Sequence, residues 1–181
     1  MSDHELLELL RKGGSLAIPY LDGARVRVEP ADIPVDLALP ALRSFLARTP
    51  DERLADGRHL VAYCASTVDA VGEEILEDLP GGALPTLDTV WTLVRPRSIF
   101  FGMLEAGKYA PIDTAYVQME AEVAWEPEHG LQLSWEAGRH LVKAGPFDGH
   151  PTNGHAYAKP EKDRFVFLGG SPEESTLPDP R

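Results

Sequence analysis

The sequence predicts an α+β fold, in which a helical N-terminal half packs on a C-terminal antiparallel β-sheet with meander connections. Two observations support this prediction. Up to about Leu79 the apolar residues recur three and four positions apart, as on the buried face of a helix. From Trp91 onward they alternate with polar residues, as in strands that bury one face. A chain of 181 residues has the length of one domain and can bury a substantial core.

The first predicted elements are a short helix and one strand. Ser2 or Asp3 can cap the helix, and Gly13-Gly14 ends it. Residues 24–28 alternate between apolar and charged side chains before Pro30, which predicts a half-buried strand. The apolar stripe of the helix consists of Leu6, Leu7, Leu9 and Leu10.

Two longer helices are predicted next. The second helix has Pro40 in its first turn and runs to about Arg48. Residues 49–52, Thr-Pro-Asp-Glu, form a capping-box signature that predicts the start of the third helix. Gly57 is a predicted interruption of that helix, whose apolar stripe then continues with Leu60, Val61, Cys64 and Val68.

The sheet is predicted from Trp91 onward. Strict alternation over residues 115–125 predicts the longest strand, with Trp125 on its apolar face. Further β-prone runs are residues 91–94, 99–101, 131–135 and about 139–144, the first two separated by residues 95–98. The single domain is predicted to span residues 1–168, and residues 169–181 are predicted to be a flexible tail because they contain few apolar side chains.

Composition restricts the class of protein. The formal net charge of −12 disfavours nucleic acid as a partner. No apolar run reaches the roughly 18 residues that span a bilayer, and the N-terminus has neither the basic start nor the apolar run of a signal peptide. The lone Cys64 fits a buried structural thiol and a reducing compartment. We therefore expect a cytoplasmic protein without a nucleic-acid or membrane partner.

Two polar loops on the predicted sheet contain the candidate binding residues. Residues 126–130 connect two strands, and residues 145–153 follow the next strand. Loops held by rigid strands often carry binding groups, and we expect the hairpin ends to bring both loops to one rim of the sheet. The candidates are Glu126, Glu128, His129, Asp148, His150 and Asn153, with His155 just beyond them.

Ordinary turn structure competes with two chemical interpretations of these loops. In the structural interpretation, Gly130 takes a positive φ and the neighbouring polar groups cap backbone amides. A divalent metal such as zinc, manganese or iron would instead use His129, Asp148 and His150, and no other cofactor is expected. Asp148 with His150 also suits an acid–base pair, although no motif marks a serine or cysteine nucleophile.

The remaining aromatic and acidic residues have two interpretations each. Trp91, Trp125 and Trp135 are expected to pack in the core rather than to form a ligand platform. Glu120 and Glu122 are expected on an exposed acidic sheet face, which is either simply solvated or attractive to a basic protein partner.

The loop sequences resemble those of a group of uncharacterised bacterial proteins. Their shared core reads Trp-x-x-Glu-His-Gly-Leu and then Gly-x-x-Asp-Gly-His-x-Thr-Asn, which this chain matches at residues 125–131 and 145–153. The segment Trp91–Pro96 with Ile99 is similar too, so the resemblance extends over roughly residues 40–155. The family is a domain of unknown function and implies no activity. In size and charge its members are similar to small acidic immunity and accessory proteins of bacterial toxin systems.

These observations favour a non-enzymatic protein-binding module that uses an acidic sheet surface and the two loops. The alternatives are a metal-dependent enzyme built on His129, Asp148 and His150, and a purely structural accessory domain.

Overall fold

A computed structural model describes residues 1–178, which form α-helices, short 3-10 helices and a six-stranded sheet, so the α+β prediction is confirmed. The α-helices are α1 (Asp3–Lys12), α2 (Val35–Leu46), α3 (Pro50–Val71) and α4 (Asn153–Ala156). The strands are β1 (Gly14–Ile18), β2 (Ala24–Val28), β3 (Val94–Leu104), β4 (Thr114–Val123), β5 (Leu131–Glu136) and β6 (His140–Gly145). The 3-10 helices span Pro19–Leu21, Glu73–Asp78, Pro80–Gly82, Val90–Leu93 and Pro160–Arg164.

The strands follow one another in the order β1 to β6 across the sheet. β3 to β6 form the predicted antiparallel meander. β1 and β2 form an additional antiparallel hairpin, which joins the meander through parallel pairing of Arg27 with Ser98 and Val28 with Ile99. The sequence predicted only one early strand, because β1 is a short Gly-Ser-Leu-Ala-Ile run whose strand character depends on pairing with β2.

Helix starts agree with the sequence better than helix interiors do. The predicted capping box at Thr49 with Glu52 is present, and Ser2, one of the two predicted caps of α1, forms a second capping box with Glu5. α2 begins at Val35 and contains Pro40, so the prediction that placed this proline in the first turn was wrong. α3 continues through Gly57, where a Cβ atom would lie 3.1 Å from the Trp91 indole nitrogen. Glycine at this position lets the helix approach the Trp91 ring closely rather than interrupting the helix.

β3 is one strand instead of the two predicted runs. Its register shifts between Pro96 and Ser98, and this irregularity accommodates a proline that cannot donate to the ladder. Trp91 precedes the strand in a 3-10 helix.

The main core lies between the sheet and helices α1 to α3. It contains the inward residues of β4 and β5, among them Val117 and Leu133, and residues of α2 and α3 such as Phe45 and Leu60. All three tryptophans are buried in this core, which confirms their predicted packing role. Cys64 is fully buried, and burial raises its pKa to about 11, so the thiol is structural as predicted. Within residues 1–178 no helix has the length and apolarity needed to cross a membrane.

The segment up to Leu177 packs at the β6 edge of the sheet. Ala144 forms a parallel bridge with Phe167, the Thr176 amide donates to the Phe167 carbonyl, and the Val166 amide donates to the Thr176 carbonyl. Arg58 of α3 donates to the Leu177 carbonyl at 3.0 Å. The flexibility of residues 169–181 stays a prediction, and residues 179–181 lie outside the described part of the chain.

Candidate functional site

The sheet face opposite the helices is covered rather than solvated. On this face Gln118, Gln132, Ser134 and Lys143 form a layer of polar side chains, the polar layer, and each is at most 2% exposed. The segment after β6 covers them, with Phe147 packing on Phe100 at a ring distance of 5.9 Å. The acidic sheet face was expected to be open to solvent, but much of this face is covered. Glu122 stays exposed and pairs with Arg97.

Gln132 forms three of its four side-chain hydrogen bonds with the turn at residues 148–150. Its amide oxygen accepts from the backbone amides of Asp148 at 3.1 Å and Gly149 at 2.9 Å. Its amide nitrogen donates to the Gln118 side chain at 2.7 Å and to the His150 carbonyl at 2.8 Å. These four bonds satisfy the full capacity of a buried glutamine amide. The turn is thereby fixed to the sheet.

Asp148 faces a buried cation. Its carboxylate pairs with Lys143, whose side chain is 3% exposed, and also accepts from the His150 amide at 2.8 Å. The Lys143 ammonium donates in addition to the His150 carbonyl at 3.0 Å. Burial lowers the pKa of Lys143, while the Asp148 carboxylate opposes that shift. This carboxylate therefore compensates a buried charge, a structural use that the sequence pattern did not reveal.

The next residues of the motif begin the short helix α4. Thr152 caps α4 by accepting from the His155 amide at 3.2 Å. Asn153 is 4% exposed and donates to the carbonyls of Phe165 at 2.9 Å and Val166 at 3.1 Å. Asn153 thus ties α4 to the C-terminal segment.

His150 and His155 face each other beside a cavity. Their Nδ1 atoms are 3.1 Å apart, and both side chains are half-buried. Burial and the neighbouring His150 lower the pKa of His155. His155 also lines a cavity of about 470 Å³ together with the residues that follow β3, from Met103 to Tyr109.

The loop at residues 126–130 is exposed and contains a second group of ligand atoms. Glu126 accepts from the His129 amide at 2.8 Å and lies 3.2 Å from the His129 Nδ1 atom. Glu126, Glu128 and His129 each offer one ligand atom, and these three atoms lie within 4.8 Å of one another. Tyr63 of α3 donates to the Gly130 carbonyl at 3.0 Å, and Gly130 has the expected positive φ of 67°.

The predicted candidates thus separate into two groups. Asp148 and His150 are in direct contact, and Asn153 is buried near them. His129 groups instead with Glu126 and Glu128, and in the described residues Asp148 and His150 lie outside that group. The loops start from the same end of the sheet, because β5 begins and β6 ends there.

A second cavity, of about 610 Å³, lies between α3 and β6 and was not predicted. At its wall Arg48 pairs with Asp56 at 2.7 Å, and the Tyr20 hydroxyl donates to the same carboxylate at 2.8 Å. His59 shares a 2.6 Å hydrogen bond with the Thr176 hydroxyl, and burial lowers its pKa to about 3. The only sequence signal is that Asp56 and His59 fall on the buried side of an amphipathic helix.

Residues 69–88, the acidic segment, form the most one-sidedly charged part of the surface. No lysine or arginine occurs between Arg58 and Arg95. Apolar side chains are exposed in the same segment: Val71 is 62%, Leu84 44% and Leu87 46% exposed. Within residues 1–178 none of its carboxylates forms an ion pair, and all six are exposed: Asp69, Glu73, Glu74, Glu77, Asp78 and Asp88.

Comparison with known proteins places the chain in a family but not beside a characterised relative. No curated protein and no solved structure matches the chain. Residues 6–151 match a single family, described as a domain of unknown function, DUF6985. This match covers most of the sequence, from α1 to the turn at His150, and it agrees with the resemblance to an uncharacterised family. The chain therefore belongs to the DUF6985 family of domains of unknown function.

Proposed function

We propose that this protein is a non-enzymatic module that binds a protein partner with a basic surface, and that the acidic segment is its main contact surface. The observation that carries the proposal is that residues 69–88 combine three exposed apolar side chains with six exposed carboxylates that form no ion pair within residues 1–178. Carboxylates steer a basic partner at long range, and apolar groups among them supply burial on contact.

The contrast with the rest of the surface strengthens this proposal. Several carboxylates elsewhere pair with cations, as Glu8 does with Lys12, Glu29 with Arg27 and Asp22 with Arg53. The acidic segment has no cation of its own. An external basic surface would supply the missing counter-charges.

The exposed loop at residues 126–130 extends the proposed contact surface. Its Glu128 is exposed, and the loop contacts α3 through the bond from Tyr63 to Gly130. The acidic segment begins at the C-terminal end of the same helix. The exposed residues 146–149 of the other loop are a secondary contact. A basic toxin-like protein is the partner class that an immunity-like or accessory-like module would take.

Quantitative affinity capture tests this proposal. Tag-bearing protein is incubated with lysate of its source cells at low and at moderate salt, and bound proteins are identified by mass spectrometry. A variant that neutralises the acidic segment carries Glu73→Gln, Glu74→Gln, Glu77→Gln and Asp78→Asn. The matched control removes four exposed carboxylates elsewhere, through Asp32→Asn, Asp36→Asn, Glu161→Gln and Glu173→Gln.

The expected result is one basic protein that the wild type and the control recover, that moderate salt weakens, and that the segment variant loses. Equal recovery by the segment variant and the control contradicts the proposed surface. Recovery of no partner at either ionic strength contradicts the proposed function.

A divalent-metal function is the second candidate, favoured by the group of Glu126, Glu128 and His129 on one loop. Two carboxylates and an imidazole suit zinc or manganese. Elemental analysis after equilibration with each metal tests it, with His129→Ala as the variant. Metal content that stays at background for the wild type removes this candidate.

A further inference from the structure

We propose that His150 and His155 form a binding site for a divalent transition metal of the zinc class. The site is independent of the acidic segment and of the loop at residues 126–130. Two imidazole nitrogens at 3.1 Å, both half-buried, are its central observation.

The spacing of the two rings fits chelation. Zinc–nitrogen bonds of 2.0–2.1 Å at a tetrahedral angle place two nitrogens about 3.3–3.4 Å apart. The observed 3.1 Å therefore requires the two nitrogens to separate by only a few tenths of an ångström, together with a rotation of both rings that turns their lone pairs toward a common point. Without metal, one Nδ1 atom has to carry a proton that the other accepts. A metal ion that binds both nitrogens takes the place of this shared proton.

The backbone around both ligands is already fixed. The His150 carbonyl accepts from Gln132 and Lys143, and its amide donates to Asp148. The His155 amide donates to the Thr152 hydroxyl that caps α4. Metal binding therefore orders little chain, because the elements that hold the rings are anchored to the sheet.

The space beside the pair suits an exchangeable metal ligand. His155 borders the cavity of about 470 Å³. Water or a small ligand from this cavity would complete the coordination that the two rings leave open. Two imidazole donors select zinc, nickel or copper over magnesium and calcium.

Zinc titration of tag-free, EDTA-treated protein by isothermal calorimetry tests the site. The wild type is expected to bind one Zn²⁺, and His150→Ala and His155→Ala are each expected to weaken that binding at least tenfold. His4→Ala, at an exposed histidine outside both ligand groups, is the matched control and is expected to bind as the wild type does. His155→Gln, which keeps a polar side chain of similar length, is the second variant and should also lose binding.

Thermal unfolding of each metal-free variant distinguishes loss of ligand from loss of fold. A folded His155→Gln protein with weakened zinc binding supports the site. Absence of zinc binding to the wild type overturns the proposal, as does wild-type affinity in folded His150→Ala and His155→Gln proteins. Zinc binding that disappears in His129→Ala assigns the metal to the loop at residues 126–130 and likewise overturns it.

Discussion

The polar layer and the acidic segment use charged and polar side chains in opposite ways. In the polar layer Lys143 and Gln132 are buried, and each is bonded to the turn at residues 148–150. In the acidic segment the carboxylates of residues 69–88 are exposed and have no partner cation within residues 1–178. The first arrangement stabilises the fold, and the second leaves electrostatic attraction available to another molecule.

This difference bears on the two interpretations of the loop motifs, as ordinary turns or as chemical sites. The Asp-Gly-His-x-Thr-Asn stretch has the composition of a reactive loop, yet Asp148 neutralises Lys143 and Asn153 ties α4 to the C-terminal segment. The acidic segment contains none of the motifs noted in the sequence, but its carboxylates have no partner cation within residues 1–178. The composition of such a loop therefore does not by itself distinguish a structural role from a reactive one.

The largest effect is expected from removing the amide at the centre of the polar layer. Gln132→Leu leaves the buried Gln118 side chain and the backbone amides of Asp148 and Gly149 without their partner, so the free energy of unfolding should fall by about 3–4 kcal/mol. Urea denaturation measures it. Glu120→Leu, at the position opposite Gln132 on β4, is the control and should cost much less. Similar costs for both variants would mean that the polar layer does not hold the turn.

Asp148→Ala tests the charge in the same layer. The variant leaves the Lys143 ammonium buried without its carboxylate, at a cost of about 3 kcal/mol. Adding Lys143→Met should restore much of the loss, because the uncompensated charge is then gone. Urea denaturation of the two single variants and the double variant gives the coupling energy. Additive costs would show that the two groups act independently.

A smaller effect on stability is expected from the protonation of His59, which is a buried polar residue. Its pKa is about 3 in the folded protein, whereas the unfolded chain takes up a proton near pH 6.5. The unfolded state therefore binds more protons between these values, and stability should fall as pH decreases through this window, by up to about 1.4 kcal/mol per pH unit.

The pH dependence of unfolding in His59→Gln provides the measurement. This variant should have a flatter profile between pH 6.5 and pH 5 than the wild type, whereas His140→Gln, at an exposed histidine, should keep the wild-type slope. An unchanged slope in His59→Gln would exclude His59 as the source of the acid sensitivity.

The smallest effect is expected from the acidic segment itself. The four-site variant at residues 73, 74, 77 and 78 should change the free energy of unfolding by less than about 0.5 kcal/mol, since its carboxylates are exposed and unpaired. Any change should be a gain, because net charge falls and self-repulsion decreases. A large loss of stability in urea denaturation would show that these carboxylates support the fold.

Local patterns predicted most of the fold, and tertiary pairing accounts for the differences. Capping boxes and strict alternation are local signals, so α1, α3, β4 and β5 were found from the sequence. β1 depends on its partner β2, and β3 accommodates Pro96 only through an irregular pairing with β4. Neither property is contained in a short window of sequence.

The candidate site was predictable in part. The sequence marked Asp148 and His150 as candidates, and their contact in the structure is the bond from the His150 backbone amide to the Asp148 carboxylate. It did not indicate that Gln118, Gln132 and Lys143 would be covered, because a polar strand face looks the same whether solvent or chain packs on it. The acidic segment could have been found from the absence of lysine and arginine between Arg58 and Arg95.

The most direct test of the central claim is an NMR titration of ¹⁵N-labelled protein with a short synthetic peptide of alternating lysine and leucine. The expected result is a set of amide shift changes concentrated in residues 69–88 and extending to the loop at residues 126–130, which weakens with added salt. Shift changes distributed equally over other exposed acids such as Asp32 and Glu161, or concentrated at residues 145–153, would contradict the claim that the acidic segment is the binding surface.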